Sequence, residues 1–162
     1  MPPPSAPLTF NAVVRINSSA LGKLLACPNV MARSRWMIRR SSVRDCIGVS
    51  LVIGIAYKKD IGDHRESPSF KLLELLIEKG ARVEYHDTFI PVIGRTREYM
   101  DFAGMESVDL TPERVASYDA VLIATDHSDV DYDSLVEHAA LVVDTRNATR
   151  DITYHRDKIV KA

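Results

Sequence analysis

Residues 49–56, VSLVIGIA, form a continuous apolar run rich in β-branched residues, and this run decides the fold. Such a run is typical of a strand buried on both faces of a parallel sheet, because a strand with one solvated face alternates apolar and polar residues. Residues 120–125 (AVLIAT) and 141–144 (LVVD) have the same character. We therefore predict a sheet that is covered on both faces.

A helix is predicted after the first strand. Ser67 supplies an N-cap, Pro68 suits the first helical turn, and Gly80 marks the end of the helix. The apolar residues expected on one helical face are Phe70, Leu73, Leu76 and Ile77, and the cluster between residues 72 and 76 is expected in the core. Residues 82–87 (RVEYHD) alternate as a strand does, so the segment predicts one βαβ unit.

The order of the remaining elements predicts the fold class. Short helices are expected at residues 111–117 and 131–138, each followed by one of the apolar strands. Helices that alternate with apolar strands favour a three-layer α/β architecture. We therefore expect a Rossmann-like parallel sheet in a single domain, with an irregular leader before it.

Charge is distributed unevenly along the 162 residues, whose net charge is -1. Residues 1–45 hold seven basic residues and one acidic residue, which gives +6, while the rest holds 14 basic and 21 acidic residues, which gives -7. The strongly acidic part of the chain after residue 45 repels phosphate backbones, so nucleic acid is a poor candidate partner. The basic start has no helical or strand period. We expect a disordered or irregular leader at residues 1–47 and one domain at residues 48–162.

Cysteine usage and hydropathy favour a soluble, cytoplasmic chain. Cys27 and Cys46 lie far apart, in no CxxC motif and with no histidine at ligand spacing, so neither a metal site nor a disulfide framework is predicted. No apolar run approaches the roughly 18 residues that a membrane span requires. We expect no membrane partner.

Polar residues follow three of the predicted strands, at the edge where open α/β sheets bind ligands. The three segments are 57–60 (YKKD), 125–127 (TDH) and 145–147 (TRN). Their basic and hydrogen-bonding groups suit an anionic, hydroxyl-bearing ligand such as a phosphorylated sugar. Instead of binding a ligand, Arg146 could form an ion pair with Asp144 or Asp126. The acid–histidine pairs at residues 86–87 and 126–127 are expected to be structural.

The glycine pattern argues against a dinucleotide site in this region. A dinucleotide fold carries GxGxxG between its first strand and the following helix, so that the backbone closes on a pyrophosphate. Here Gly54 lies in the predicted strand and a long charged loop follows it. We therefore expect no NAD site within residues 48–162.

Several longer strings make the comparison with known proteins specific. They are GIAYKKDIGDHRESPSFKLLELL (54–76), VEYHD (83–87), YDAVLIATDH (118–127) and LVVDTRNA (141–148). Together they resemble the C-terminal domain of the UDP-glucose/GDP-mannose dehydrogenase family, in the same order and over about residues 48–150. The DTRN ending and the HD after the second strand are most similar to the UDP-N-acetylglucosamine 6-dehydrogenase branch.

This resemblance implies a division of labour between domains. In the family, one domain binds NAD, a central helix dimerises, a cysteine nucleophile forms a thioester during oxidation of the sugar, and the C-terminal domain closes over the UDP-sugar. By motif position, the resemblance implies that Tyr57, Lys58 and Arg146 bind the substrate, with Lys59 and Arg65 as secondary candidates. Arg65 is also expected to pair with Glu66 and fix the loop. No catalytic residue and no metal ligand is expected here.

Two departures from the family pattern qualify these expectations. Gly62 stands where many relatives carry an acid. Residues 1–45 match neither the dimerising helix nor the cysteine motif, so NAD is implied only through a domain that this chain lacks. We expect a truncated UDP-sugar-binding domain that is inactive alone. A stand-alone UDP-sugar-binding or regulatory module and the remnant of a broken gene are the alternatives.

Overall fold

The computed structural model describes residues 48–162. The strands are β1 (Val49–Ile53), β2 (Arg82–His86), β3 (Ala120–Ile123), β4 (Val142–Asp144) and β5 (Ile159–Lys161). The helices are α1 (Pro68–Glu78), α2 (Pro112–Ala116) and α3 (Tyr132–His138), and two short 3₁₀ turns lie at Met100–Phe102 and Arg156–Lys158. None of the helices in residues 48–162 is long and apolar enough to cross a membrane.

The five strands form one parallel sheet in the order β2-β1-β3-β4-β5. This confirms the predicted Rossmann-like α/β class. The chain leaves β1 toward β2 on one side and returns to β3 on the other, so the topological switch point lies between β1 and β3. At such a point the loops diverge beyond the carboxyl ends of the strands and leave room for a ligand.

The apolar character of β1 is explained by two cores on opposite faces of the sheet. Val52 belongs to the core beneath α1, while Leu51 and Ile53 belong to the core beneath α2 and α3. Successive strand residues point to opposite faces, so a strand with a core on each side needs apolar residues on both faces. All three residues are fully buried.

Helix α1 begins as its sequence predicts. The Ser67 side chain accepts a hydrogen bond from the Ser69 N–H at 3.3 Å, and Pro68 is the first helical residue. Its buried face differs from the prediction at two positions. Ile77 is 47% exposed because it lies in the last turn at the margin of that face, whereas Leu72 is buried as expected. Leu75, inside the cluster expected in the core, is also partly exposed.

The strands differ from the sequence prediction in their ends and in their number, and β2, β3 and β4 are each one or two residues shorter than predicted. β1 ends at Ile53 rather than Ala56, because Gly54 adopts φ +82° and turns the chain out of the sheet. β5 was not predicted, since two half-buried residues and one exposed residue show no period, and its strand character comes from parallel pairing with β4. β5 thereby extends the sheet beyond the last strand that the apolar pattern identifies.

Candidate functional site

The loop after β1 begins with a close contact between two strand ends. A Cβ atom placed on Gly54 would lie 2.3 Å from the Thr125 carbonyl oxygen, so only glycine fits there. The Thr125 hydroxyl in turn donates to the Ala56 carbonyl at 2.7 Å. The carboxyl ends of β1 and β3 are therefore fixed against each other, and the loop that starts at Tyr57 leaves from a rigid base.

The buried carboxylate of Asp87, just past β2, organises the same region. It accepts four backbone hydrogen bonds of 2.7–3.1 Å, two on each oxygen. The donors are the N–H groups of Ile55, Ala56, Phe89 and Ile90. Burial alone would raise the pKa of Asp87, but the hydrogen bonds from His127 and from these amides outweigh burial and lower it. Asp87 is thus an ionised anchor for the turn after β1.

His127 connects that anchor to the loop carrying the lysines. Its Nε2 lies 3.2 Å from Asp87 Oδ2, and its Nδ1 lies 3.0 Å from the Asp60 backbone N. Because the Asp60 N–H donates to Nδ1, the hydrogen-bond pattern assigns the ring proton to Nε2, which donates to Asp87. The Asp60 carboxylate accepts from the N–H and hydroxyl of Ser128 at 2.7 and 2.8 Å. The 57–60 loop is therefore tied to the end of β3.

A second buried carboxylate, Asp144 at the end of β4, organises the loop that carries Arg146. Its Oδ1 accepts from the N–H groups of Arg146 and Ala148, and its Oδ2 accepts from the N–H and hydroxyl of Thr149. Burial raises the pKa of Asp144, but hydrogen bonds from Lys161 and Thr149 prevail and bring it to about 2. Asp144 is therefore an anion at neutral pH.

Two basic side chains from separate loops meet at one carboxylate above this edge of the sheet. Lys59 Nζ lies 3.5 Å from Asp126 Oδ2, and Arg146 Nε lies 3.5 Å from Asp126 Oδ1. All three residues line a cavity of about 260 Å³, to which Tyr132 and Arg150 also contribute. Two cations that share one anion leave a local excess of positive charge, which can attract an anionic group.

Tyr57 and Lys58 line a different cavity. Together with Ile61 and Asp63 they surround a space of about 310 Å³. Lys58 Nζ lies 5.8 Å from the centre of the Tyr57 ring, and the tyrosine is 39% exposed. Of the five residues singled out from the sequence, the structure thus brings Lys59 and Arg146 into one cavity and places Tyr57 and Lys58 in another.

Arg65 lines neither of these two cavities. Its guanidinium contacts Asp63 through Nη2–Oδ2 at 2.9 Å and Nε–Oδ1 at 3.0 Å, and this contact lowers the pKa of Asp63 to about 2. The expected pair with Glu66 is wrong, because the Arg65 side chain turns back toward the residue two positions earlier. Arg65 also lines a cavity of about 220 Å³ with Arg95 and Arg97.

Sequence reasoning missed several residues that shape the edge. Arg150 and Lys161 were not identified, although both contact or line the ligand-side loops, and Asp60 was placed at this edge without a role of its own. An aspartate just past a strand, followed by a turn, often accepts loop N–H groups, so Asp87 and Asp144 carried a detectable signal. Lys161 showed no such sequence signal, because its partners lie at the end of β4 and in the loop after β4.

The described residues do not fit an NAD molecule. The end of β1 is closely packed, because Gly54 lies against the Thr125 carbonyl. The loop that follows lacks the second and third glycines of the dinucleotide motif. No step of hydride transfer is therefore assigned to residues 48–162.

Comparisons with known proteins agree with the resemblance noted from the sequence. Residues 51–151 match the UDP binding domain of the UDP-glucose/GDP-mannose dehydrogenase family. Curated proteins gave no match. The NDP-N-acetyl-D-galactosaminuronic acid dehydrogenase of Methanosarcina mazei is similar in structure, with a TM-score of 0.53 and 25% identity over 71% of this chain and 24% of that one.

Two further solved structures match with lower TM-scores. The GDP-mannose dehydrogenase of Pseudomonas aeruginosa has 28% identity and a TM-score of 0.45, over 62% of this chain and 25% of that one. The UDP-D-ManNAc dehydrogenase of Pyrococcus horikoshii has 26% identity and a TM-score of 0.45, over 62% of this chain and 22% of that one. This chain therefore spans about a quarter of the length of these solved proteins. With its family match over residues 51–151, the chain belongs to the UDP-glucose/GDP-mannose dehydrogenase family and carries its UDP-binding domain.

Proposed function

We propose that this chain binds a UDP-sugar, with UDP-N-acetylglucosamine as the first candidate, as the C-terminal part of an NAD-dependent UDP-sugar 6-dehydrogenase. The observation that carries the proposal is the meeting of Lys59 and Arg146 at Asp126 in one polar cavity. Family membership supplies the ligand class. The N-acetylated sugar rests on the DTRN and HD strings of the sequence. The name of the Methanosarcina mazei relative also includes an N-acetylated sugar.

Charge favours a diphosphate at this cavity. Asp126 neutralises one of its two cations, and Arg150 is already paired with Asp151. A charge-assisted hydrogen bond to phosphate contributes about 1.5–3 kcal/mol when it is shielded from water. Here the side chains of Lys59 and Arg146 are 49% and 48% exposed, so solvent screens both. We therefore expect this chain alone to bind UDP-sugars with a Kd on the order of 1 mM.

Tyr57 and Lys58 are proposed to contact another part of the same ligand. The exposed Tyr57 ring offers a flat face for a base or sugar, and Lys58 lies beside that ring. Their cavity adjoins the same 57–60 loop that carries Lys59, so one ligand with separate phosphate and sugar groups suits the two cavities. Arg65 is a weaker candidate because Asp63 already occupies its guanidinium.

Catalysis is proposed to require other parts of a complete dehydrogenase. Residues 48–162 offer no cradle for NAD, and both cysteines of the sequence lie outside the described residues. We expect no NADH to form when this chain is incubated with NAD and either UDP-N-acetylglucosamine or UDP-glucose. A steady rise in NADH absorbance that scales with chain concentration and survives further purification would contradict this expectation.

A titration with UDP and UDP-N-acetylglucosamine, followed by NMR amide shifts, tests the binding proposal. We expect shifts at residues 57–60 and 145–147 together, and their loss in Lys59→Ala and in Arg146→Ala. Lys58→Ala tests whether the second cavity takes part. Lys71→Ala is the matched control, because Lys71 pairs with Glu74 on the exposed side of α1. Shifts that persist in both Lys59→Ala and Arg146→Ala would overturn the proposed site.

A further inference from the structure

Lys161, in β5, has an ammonium group whose three hydrogen bonds all point to the loop that carries Arg146. Its Nζ donates to Asp144 Oδ2 at 2.6 Å, to Asn147 Oδ1 at 2.9 Å and to Thr149 Oγ1 at 3.0 Å. An ammonium group has three donors, so every donor is used within one loop. The three acceptors stand at the start, the middle and the end of that loop.

The loop that Lys161 contacts turns through a left-handed residue. Asn147, next to Arg146, has φ +60°, a conformation that asparagine adopts more readily than most residues. Asp144 fixes the N–H groups of Arg146 and Ala148 on one side of this turn. Lys161, which contacts Asp144, holds the Asn147 side chain. The direction in which Arg146 leaves the loop therefore depends on both contacts.

Lys161 also balances a charge that opposes anion binding. Asp144 is buried and ionised, and it lies directly beneath the loop whose arginine lines the anion cavity. Without a cation, that carboxylate would repel a phosphate bound at Arg146, since little solvent separates a buried charge from its surroundings. Among residues 48–162, Lys161 is the cation that pairs with this carboxylate, and its side chain is 38% exposed while that of Asp144 is fully buried.

We propose that Lys161 is a positioning residue for ligand binding, which locks the 144–149 loop so that the Arg146 guanidinium faces the anion cavity. It touches no ligand itself and acts through Asp144, Asn147 and Thr149. The effect of Lys161 on ligand binding rests on the proposed function. Its effect on the conformation of the loop rests on the loop contacts alone.

Lys161→Met tests this, because methionine keeps most of the apolar stem and removes the three donors. In the full chain without ligand, we expect lower heteronuclear NOE values at the amides of residues 145–149. The UDP affinity is expected to fall about tenfold. Lys161→Arg keeps the charge and several donors, so it is expected to retain most of the loop NOE values and most of the UDP affinity. Lys158→Met is the matched control, since Lys158 donates to the Glu137 carbonyl and not to the loop.

The outcomes separate this inference from the proposed function. A Lys161→Met chain with unchanged loop NOE values, or one that binds UDP as the parent chain does, overturns the positioning role. Equal losses in Lys158→Met and Lys161→Met would also overturn it, because they would indicate a general loosening around β5. If the parent chain itself binds no UDP, the proposed function fails and the ligand part of the inference with it. The loop measurement would then still decide whether Lys161 locks the loop.

Discussion

Lys59 and Arg146 contact opposite oxygens of the same carboxylate, Asp126, each at 3.5 Å. The two residues lie in loops after β1 and β4, with β3 between those strands in the sheet. Asp126 follows β3 and occupies the space between the two cations. A bound anion would have to compete with this carboxylate, so Asp126 sets how strongly the site attracts a ligand.

Asp126→Asn is therefore expected to strengthen UDP binding. The change removes a negative charge beside the anion and frees both cations, which corresponds to about 1 kcal/mol, or roughly fivefold in Kd, at a partly solvated site. The gain should shrink as salt is raised. Calorimetric or NMR titration at low and high salt measures both. Asp109→Asn, an exposed acid outside the cavity lining, is the control for net charge. Weaker binding in Asp126→Asn would indicate that Asp126 holds the cations in place instead.

Gly54→Ala is expected to lower the free energy of unfolding by about 3 kcal/mol or more, because it combines an unfavourable φ with a backbone clash. Gly54 has φ +82°, and its new Cβ would lie 2.3 Å from the Thr125 carbonyl. Gly104→Ala is the matched control: φ is +86°, but no atom lies within 4 Å, so about 1 kcal/mol is expected. Urea unfolding measures both. Equal losses would mean that φ alone matters at Gly54.

Acid should destabilise the domain through its buried carboxylates. The pKa of Asp144 falls from an ordinary 3.8 to about 2 on folding, and that of Asp87 is also lowered. A depressed folded pKa gives stability that is present above the unfolded value and is lost as pH falls through the folded value. For Asp144 this amounts to about 2 kcal/mol, lost between about pH 4 and pH 2.

Unfolding titrations from pH 7 to pH 2.5 check this dependence. Asp144→Asn should be less stable at pH 7, because the amide cannot accept from Lys161 and Thr149 as the carboxylate does. Its stability should also fall less steeply with acid. Parallel pH profiles for the parent chain and Asp144→Asn would show that another group controls acid unfolding.

Limited proteolysis tests the domain boundary that is predicted at Gly48. The composition of residues 1–47, basic and without period, predicts rapid cleavage there, while the packed sheet of residues 48–162 predicts resistance. Mass spectrometry of the resistant fragment locates the boundary. A fragment that retains residues 1–47 after prolonged digestion would contradict the predicted leader.

The sequence by itself determined the fold class. Four of the five residues of β1 are apolar, as expected of a strand covered on both faces, and Ser67, Pro68 and Gly80 specify the ends of α1. These are local signals, since burial period and capping chemistry act over a few residues. The family motifs lie in the same segments. They indicated that the ligand-binding residues lie at the carboxyl ends of the strands.

Only the tertiary structure decided which residues share a cavity. Lys58 and Lys59 are adjacent in the chain, yet the turn that Asp87 and His127 hold places Lys59 beside Arg146 and leaves Lys58 beside Tyr57. Likewise, residues 159–161 form a strand only through their pairing with β4, and that pairing brings Lys161 into contact with Asp144. Such contacts join residues far apart in sequence, and side-chain direction at a loop depends on hydrogen bonds from other strands. A period or a motif does not encode that information.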